Sequence, residues 1–359
     1  MEITIVPLKD EELKPLFTDP QELGFGRVFT DRMFTMEYSD GKGWFNPTIR
    51  KYEPLQLDPA TLVLHYGQEI FEGMKVFAGP GGEIVFFRPE ENVKRFNRSA
   101  QRLAMPAIPE EDMLQAIVKL AEMEKRWIPK HRGAALYIRP AMIATEVGLG
   151  VRAAKQYLFF VILSPVGPYF KQGFRPVSLF VSDAYVRAVE KGVGEAKTGG
   201  NYAASLLARQ EAQAKGYSEV LWLDAKERRY IEEVGAMNIF FVIDGVVSTP
   251  RLDGAILPGI TRKSVLQLAT HLGYSVSERK ISIDEVVEGV QNGRVSEAFG
   301  AGTAASIAPV GAFCYMNQLY KINGGEVGPV ARQLYDELNA IQYGDKPDLF
   351  GWTLRVPGK

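Results

Sequence analysis

Strand-sized and helix-sized stretches are mixed along this chain without a strand–helix–strand rhythm, which argues for the α+β class over a parallel, doubly wound sheet. Residues 74–78 and 84–87 read as strands paired across the Gly79-Pro80-Gly81-Gly82 turn, and 63–66 as a further strand. Pro89 opens a helix at its first position, running to about residue 104. A second helix starts at Pro109-Glu110-Glu111. Its Leu114, Ile117, Val118 and Ala121 recur at i, i+3, i+4 and i+7, an amphipathic stripe. Residues 134–141 and 157–164 read as strands, the latter apolar on both faces and so buried. Residues 1–60 read as irregular.

A run of prolines and glycines without period, 166–176, reads as an interdomain loop between an N-terminal domain, 1–165, and a C-terminal domain, 177–359. In the second half, strands are expected at 177–182, 219–224, 229–235, 238–243, 275–280 and 295–299, with a hairpin turn at Asp244-Gly245. Helices are expected at 202–215, 260–272 and 328–341.

The bulk numbers exclude several classes. Among 359 residues, 42 basic and 43 acidic side chains leave a net charge of −1, which favours neither nucleic acid nor an anionic membrane surface. The longest apolar run, 157–163, is strand-sized, and the N-terminus lacks a basic region followed by an apolar one, so a cytoplasmic protein is expected. Cys314 is the only cysteine, which precludes an intrachain disulfide. Three scattered histidines, His65, His131 and His271, argue against a zinc site or a Ser-His-Asp triad.

One lysine stands apart. Lys197 lies among Gly192, Gly194, Ala196, Gly199 and Gly200, just before an expected helix for which Asn201 is a reasonable N-cap. Small neighbours let a bulky group approach the amine and leave it poorly solvated, which suits a nucleophile toward carbonyls. Leu257-Pro258-Gly259-Ile260-Thr261 leads into a helix whose free N–H groups suit a phosphate. Phe299-Gly300-Ala301-Gly302-Thr303-Ala304 is a small-residue turn able to form an anion nest. Arg95 is a forked cation two turns into the Pro89 helix. Glu232 and Glu233 are strand neighbours, so one should face inward and the other solvent. An inward carboxylate beside a heteroaromatic nitrogen would keep it protonated. Tyr137 and Arg139 share a strand face and together suit a carboxylate. Each feature also has a plain structural reading: a solvated loop lysine, an ordinary helix start, a packed turn, an exposed helix charge, an ion pair of a glutamate with Arg228 or Arg229, and an arginine stacked on a tyrosine. Together they supply what a pyridoxal phosphate enzyme needs: a Schiff-base lysine, phosphate donors and an acid for the ring nitrogen.

The ordered motifs resemble those of the branched-chain amino acid aminotransferases, of the fold type IV pyridoxal phosphate class. The resemblance runs from Gly24-Phe25-Gly26 through the stretch Leu64 to Lys75, Phe87-Arg88-Pro89 with Asn92 and Arg95, and Tyr137-Ile138-Arg139-Pro140. It continues through the lysine segment, Glu233-Val234-Gly235, Leu257-Pro258-Gly259 and Gly302-Thr303-Ala304. It implies an α+β, two-domain architecture with a smaller N-terminal α/β domain and a larger C-terminal domain of mixed sheet or barrel. It implies pyridoxal 5'-phosphate as cofactor, and amino-group transfer between leucine, isoleucine or valine and 2-oxoglutarate.

The resemblance also assigns roles. Lys197 would carry the cofactor and move the Cα proton. Tyr202 would meet the ring 3-oxygen, and Glu233 the ring nitrogen. Arg95, the N–H groups of Ile260 and Thr261, and Thr303 would hold the phosphate, with Arg187 a supporting charge. Tyr137 and the N–H groups of Thr303 and Ala304 would seat the α-carboxylate, leaving Arg139 for the second carboxylate of glutamate. Phe25, Phe71, Tyr169 and Ala304 would line the apolar pocket. Tyr66 and Val151 would reach across a homodimer interface. Two departures are visible: Ala305-Ser306-Ile307-Ala308 stands where mammalian members carry a redox Cys-x-x-Cys, and Ala236 where some relatives have threonine. The rival readings are a D-amino acid aminotransferase or aminodeoxychorismate lyase of the same fold, or a non-catalytic relative that binds the vitamer.

Overall fold

A computed structural model of the chain describes residues 1–19, 23–168 and 173–358. It separates into two compact units: Met1–Lys171 with Ala196–Gly199 and Ala340–Lys359, and Gln172–Glu195 with Gly200–Asn339. The expected 166–176 loop contains the first crossing. Two later pieces depart from the expected division by returning to unit one, and unit one is the longer of the two, the reverse of the expected order of size.

Among the described residues, unit one is built on a nine-stranded sheet. Its strands are β1 (Thr4–Ile5), β2 (Arg32–Ser39), β3 (Gly43–Lys51), β4 (Glu69–Phe71), β5 (Met74–Ala78), β6 (Ile84–Phe87), β7 (Ala135–Ala144), β8 (Gln156–Val166) and the C-terminal strand Thr353–Val356. The spatial order is β1-β3-β2-β8-β7-β5-β6 and then the C-terminal strand, with β4 beside β7. The C-terminal strand lies antiparallel to β6, pairing Leu354 with Phe86. Tyr343 accepts from the Gly133 N–H and donates to the Ala134 carbonyl, both at 2.8 Å. These long-range pairings draw the chain end into unit one.

Helices α1 (Leu62–Tyr66), α2 (Pro89–Arg102) and α3 (Glu110–Met123) complete the unit. The apolar faces of α2 and α3 (Val93, Phe96, Ala116, Ile117, Leu120) share one core with Phe34, Phe86 and Phe159 from the sheet. Two expectations fail here. Residues 63–66 form a helical turn, not a strand, stopped by Gly67 in the left-handed region, whose N–H bonds back to the Val63 carbonyl at 3.0 Å. The stretch expected to be irregular contains the β2–β3 hairpin, in which Met33, Phe34, Thr35 and Met36 are buried in succession, so no alternation announces it.

Unit two carries β9 (Val177–Val181), β10 (Glu219–Leu223), β11 (Ile231–Val234), β12 (Met237–Ile243), β13 (Val246–Pro250), β14 (Val276–Arg279), β15 (Val295–Gly302), β16 (Ser306–Tyr315) and β17 (Gln318–Lys321). The order β11-β10-β9-β16-β15-β12 closes on itself because β11 also pairs with β12, giving the mixed, barrel-like sheet that the resemblance implies. Around it lie α4 (Gly199–Ala203), α5 (Leu206–Ala214), α6 (Ile260–His271), α7 (Ile283–Gln291) and α8 (Pro329–Gln342). The single helix expected over 202–215 is thus two. Asn201 lies inside α4 rather than capping it, and its side-chain amide donates to the Val193 carbonyl at 2.8 Å. Among the described residues, no helix is long and apolar enough to cross a membrane.

Candidate active site

The lysine turn is fastened to β4 from both sides. Phe71 N–H donates to the Lys197 carbonyl at 2.9 Å, and Thr198 Oγ1 donates to the Glu69 carbonyl at 2.8 Å. Gly199 N–H donates to the Glu69 carboxylate, and Lys197 N–H to Ser99 Oγ at 2.9 Å. A Cβ on Gly199 would press on the Glu69 carboxylate. The lysine backbone is therefore fixed while its amine remains beside the Phe71 ring, 4.8 Å from the centroid. Burial, with repulsion from Arg95 and Arg139 added, pushes the ammonium down to about 8 against the pull of Glu72 and Tyr137.

Glu72 is a hub that the sequence reading did not single out. Fully buried, it receives Arg95 Nε at 2.6 Å and the Arg95 terminal nitrogen at 3.0 Å. Asn92 Nδ2 donates to it at 2.8 Å and Gly73 N–H at 3.0 Å. Burial pushes this carboxyl up, but Arg95, Lys197 and Asn92 outweigh it and hold Glu72 below the usual range. The only signal in sequence was Asn92 and Arg95 one turn apart on the Pro89 helix, which does not name their partner.

Next to the lysine, Tyr137 and Arg139 emerge on one face of β7, with Ile138 buried on the other. Arg139 donates to Tyr137 Oη at 2.9 Å, and its guanidinium lies 4.6 Å from the Phe71 centroid. Its Nε is buried with no hydrogen-bond partner. Phe25 meets Tyr137 edge-on at 4.9 Å and is 49% exposed. Gly73 leaves room for this arrangement: a Cβ there would sit 1.9 Å from Tyr137 Oη. Phe25, Phe71, Arg95, Tyr137, Arg139 and Lys197 are thus brought together in unit one. Tyr169 lies outside the described residues. Tyr66 is half-exposed, its hydroxyl donating to the Leu149 carbonyl, and Val151 is 82% exposed.

Unit two assembles a second group. Glu233 is buried and accepts the Leu257 N–H at 2.8 Å. Arg187 Nε lies 3.2 Å from its other oxygen, a contact of charge rather than of hydrogen-bond direction. Arg187 also donates to the carbonyl of Ala255. Asn238 Nδ2 holds the Leu257 carbonyl at 2.9 Å, and a Cβ on Gly259 would fall 2.0 Å from Asn238 Oδ1. That close packing aims the start of α6 and the uncommitted N–H groups of Ile260 and Thr261. Asn238 is a positioning residue that no motif announced. Thr303 and Ala304 follow β15, whose Gly302 makes way for Met237, with Cγ 3.0 Å from an added Cβ. Tyr202 lies half-buried in α4.

One expectation is corrected. Glu232 does not face solvent; it is 3% exposed, as buried as Glu233, because both faces of β11 are covered. Nor does it pair with a neighbouring arginine: Arg229 binds Asp284 at 3.0 Å and Arg228 donates to the Asp183 carbonyl at 3.3 Å.

Unit one thus presents a low-pKa lysine on a fastened turn, and unit two a buried carboxylate braced by an arginine and a helix start cleared by glycine, groups of the kind that pyridoxal phosphate chemistry uses. The comparisons agree. The family model for amino-transferase class IV matches residues 69–313. The chain is 52% identical over 338 residues to branched-chain-amino-acid aminotransferase 2 of Bacillus subtilis (strain 168), covering 94% of this chain and 93% of that one. It is 50% identical to a probable branched-chain-amino-acid aminotransferase of Staphylococcus aureus (strain N315), covering 94% of each. The T.th. branched-chain amino acid aminotransferase, solved with pyridoxamine 5'-phosphate, superposes with a TM-score of 0.74 at 29% identity, covering 89% of this chain and 97% of that one. The enzyme from Thermobaculum terrenum, in its PLP form, gives 0.75 at 25% identity, covering 90% and 98%. The chain belongs to the class IV aminotransferases and, within them, to the branched-chain amino acid aminotransferases.

Proposed function

We propose that this chain transfers the amino group of leucine, isoleucine or valine to 2-oxoglutarate, using pyridoxal 5'-phosphate and giving branched-chain 2-oxo acids and L-glutamate. The observation that carries the reading is Lys197: its backbone is fixed by β4 and Ser99, while its amine is lowered to about 8 beside the carboxylate-reading pair Tyr137 and Arg139.

The residues fit the cofactor. Glu233 offers a buried carboxylate for the ring nitrogen, met by the Leu257 N–H and by Arg187. Arg95, the N–H groups of Ile260 and Thr261, and Thr303 would hold the phosphate, with Arg187 in support, and Tyr202 the ring 3-oxygen. When bound, the cofactor supplies a carbonyl carbon for the amine and a ring that draws electrons from the substrate Cα. Lys197 Nζ takes the Cα proton and returns it, a task for which an amine near neutrality is suited. Tyr137 and the N–H groups of Thr303 and Ala304 seat the α-carboxylate, and Arg139 meets the second carboxylate of glutamate. Phe25, Phe71, Tyr169 and Ala304 receive the aliphatic side chain and exclude water.

A cytoplasmic homodimer completes the reading, with Tyr66 and Val151 reaching the neighbouring subunit. Their exposure, 43% and 82%, supports this. The test is a panel of L- and D-amino acids with 2-oxoglutarate as acceptor. Turnover confined to branched-chain L-amino acids is expected. A yellow protein without transfer, or one that prefers D-amino acids, would overturn the assignment.

A further inference from the structure

Glu232 and Glu233 point to opposite faces of β11. Glu233 is taken by Leu257 and Arg187, whereas Glu232 lines a separate cavity of about 370 Å³ within unit two. That volume is in the range of small-molecule sites. Glu232 Oε2 is buried without a hydrogen-bond partner. An unmatched buried carboxylate oxygen is costly unless a cation or donor meets it. Burial pushes Glu232 up to about 7, opposed by Arg187 and reinforced by Asp253, Glu233 and Asp224.

The rest of the lining is ordered by chemistry. Pro250 and Ile256 form a buried apolar wall. Asp224 is already committed, accepting the N–H groups of Lys226, Glu227, Arg229 and Tyr230. Lys280 is held over the Tyr230 ring at 4.4 Å and lies 4.0 Å from Glu227. Arg251 is an exposed cation on the lining that forms no ion pair among the described residues. A buried anion, an apolar wall and an uncommitted exposed cation match a zwitterion with an aliphatic side chain.

We propose that this cavity is a second amino-acid site, on the face of β11 opposite Glu233: the α-ammonium meets Glu232, the α-carboxylate meets Arg251, and the side chain lies on Pro250 and Ile256. The inference does not depend on the transamination reading. An occupant would set its positive charge beside Glu232, whose field reaches the Arg187 that braces Glu233.

The test is calorimetric titration of the pyridoxal phosphate-loaded protein with N,N-dimethyl-L-leucine, in which binding that survives both substitutions below belongs to another site. This tertiary amine keeps one N–H as an ammonium but cannot condense with an aldehyde. Saturable binding is expected, weakened about tenfold or more by Glu232→Gln, the scale of losing a charge-assisted hydrogen bond. Arg251→Ala, at an exposed position, should weaken it by a similar factor, and N,N-dimethyl-3-methylbutylamine, which lacks the carboxylate, should bind about tenfold less tightly. No binding, or binding unchanged by both substitutions, overturns the site. Equal affinity for the amine overturns its assignment to amino acids.

Discussion

Glu72 grips Arg95 through both oxygens, at 2.6 and 3.0 Å, in a position where neither side chain is more than 4% exposed. The pair fixes the arginine proposed for the phosphate and sets the field around Lys197. Its burial makes it sensitive, since removing one partner strands a charge out of water. Glu72→Ala should therefore destabilise the cofactor-free protein by about 3–5 kcal/mol. Denaturant unfolding measures this. A loss below about 1 kcal/mol would mean that the pair behaves as a solvated surface bridge.

The lysine makes a prediction in pH. Its folded pKa of about 8 lies below its ordinary value of 10.5, so the unfolded chain binds more protons between the two. The stability of the cofactor-free protein due to this group therefore rises with pH across that window, and is lowest where the buried amine must remain charged. Cofactor capture, followed by visible absorbance, should accelerate with a midpoint near pH 8. A midpoint near 10 would show a solvated amine. Lys197→Ala should remove both turnover and the absorbance band while leaving the fold in place.

Glu233→Gln should reduce turnover far more than Glu232→Gln. Both are buried, but only Glu233 has its carboxylate oriented by Leu257 and Arg187. Steady-state rates of the two variants decide it, and equal or reversed losses would place the ring nitrogen on the wrong glutamate.

Arg139→Met should impair the glutamate half-reaction more than the leucine half-reaction, by about 1.5–3 kcal/mol, the worth of a hydrogen bond to a charged group. Where no second carboxylate is offered, Arg139 has Tyr137 and the Phe71 ring as partners. Single-turnover rates for each half-reaction measure the difference. Equal losses would make Arg139 a structural support for Tyr137.

Mixing two inactive proteins, Lys197→Ala and a disabling change at Tyr66, should restore part of the activity if subunits exchange and Tyr66 serves the neighbouring site. Exchange without any recovery would place Tyr66 in its own chain's site.

What the sequence determined by itself was local. Strand alternation set Tyr137 and Arg139 on one face of β7, and Pro89 and Gly259 marked where α2 and α6 begin. The small residues around Lys197 marked the amine proposed as reactive, and the ordered motifs carried the family. Each of these depends on neighbours in the chain, whose spacing is legible without coordinates. The tertiary structure decided what depends on distant partners. Glu72 finds Arg95 only because the β4–β5 connection meets α2. Asn238 aims α6 from another strand, through a contact 19 residues away. The segment Ala196–Gly199 and the C-terminal strand join unit one through bonds to β4 and β6, which no local period encodes. Glu232 shows the limit of alternation most directly: period two states that neighbouring side chains take opposite faces, but whether a face meets water is settled by what else packs there, and here both faces of β11 are covered.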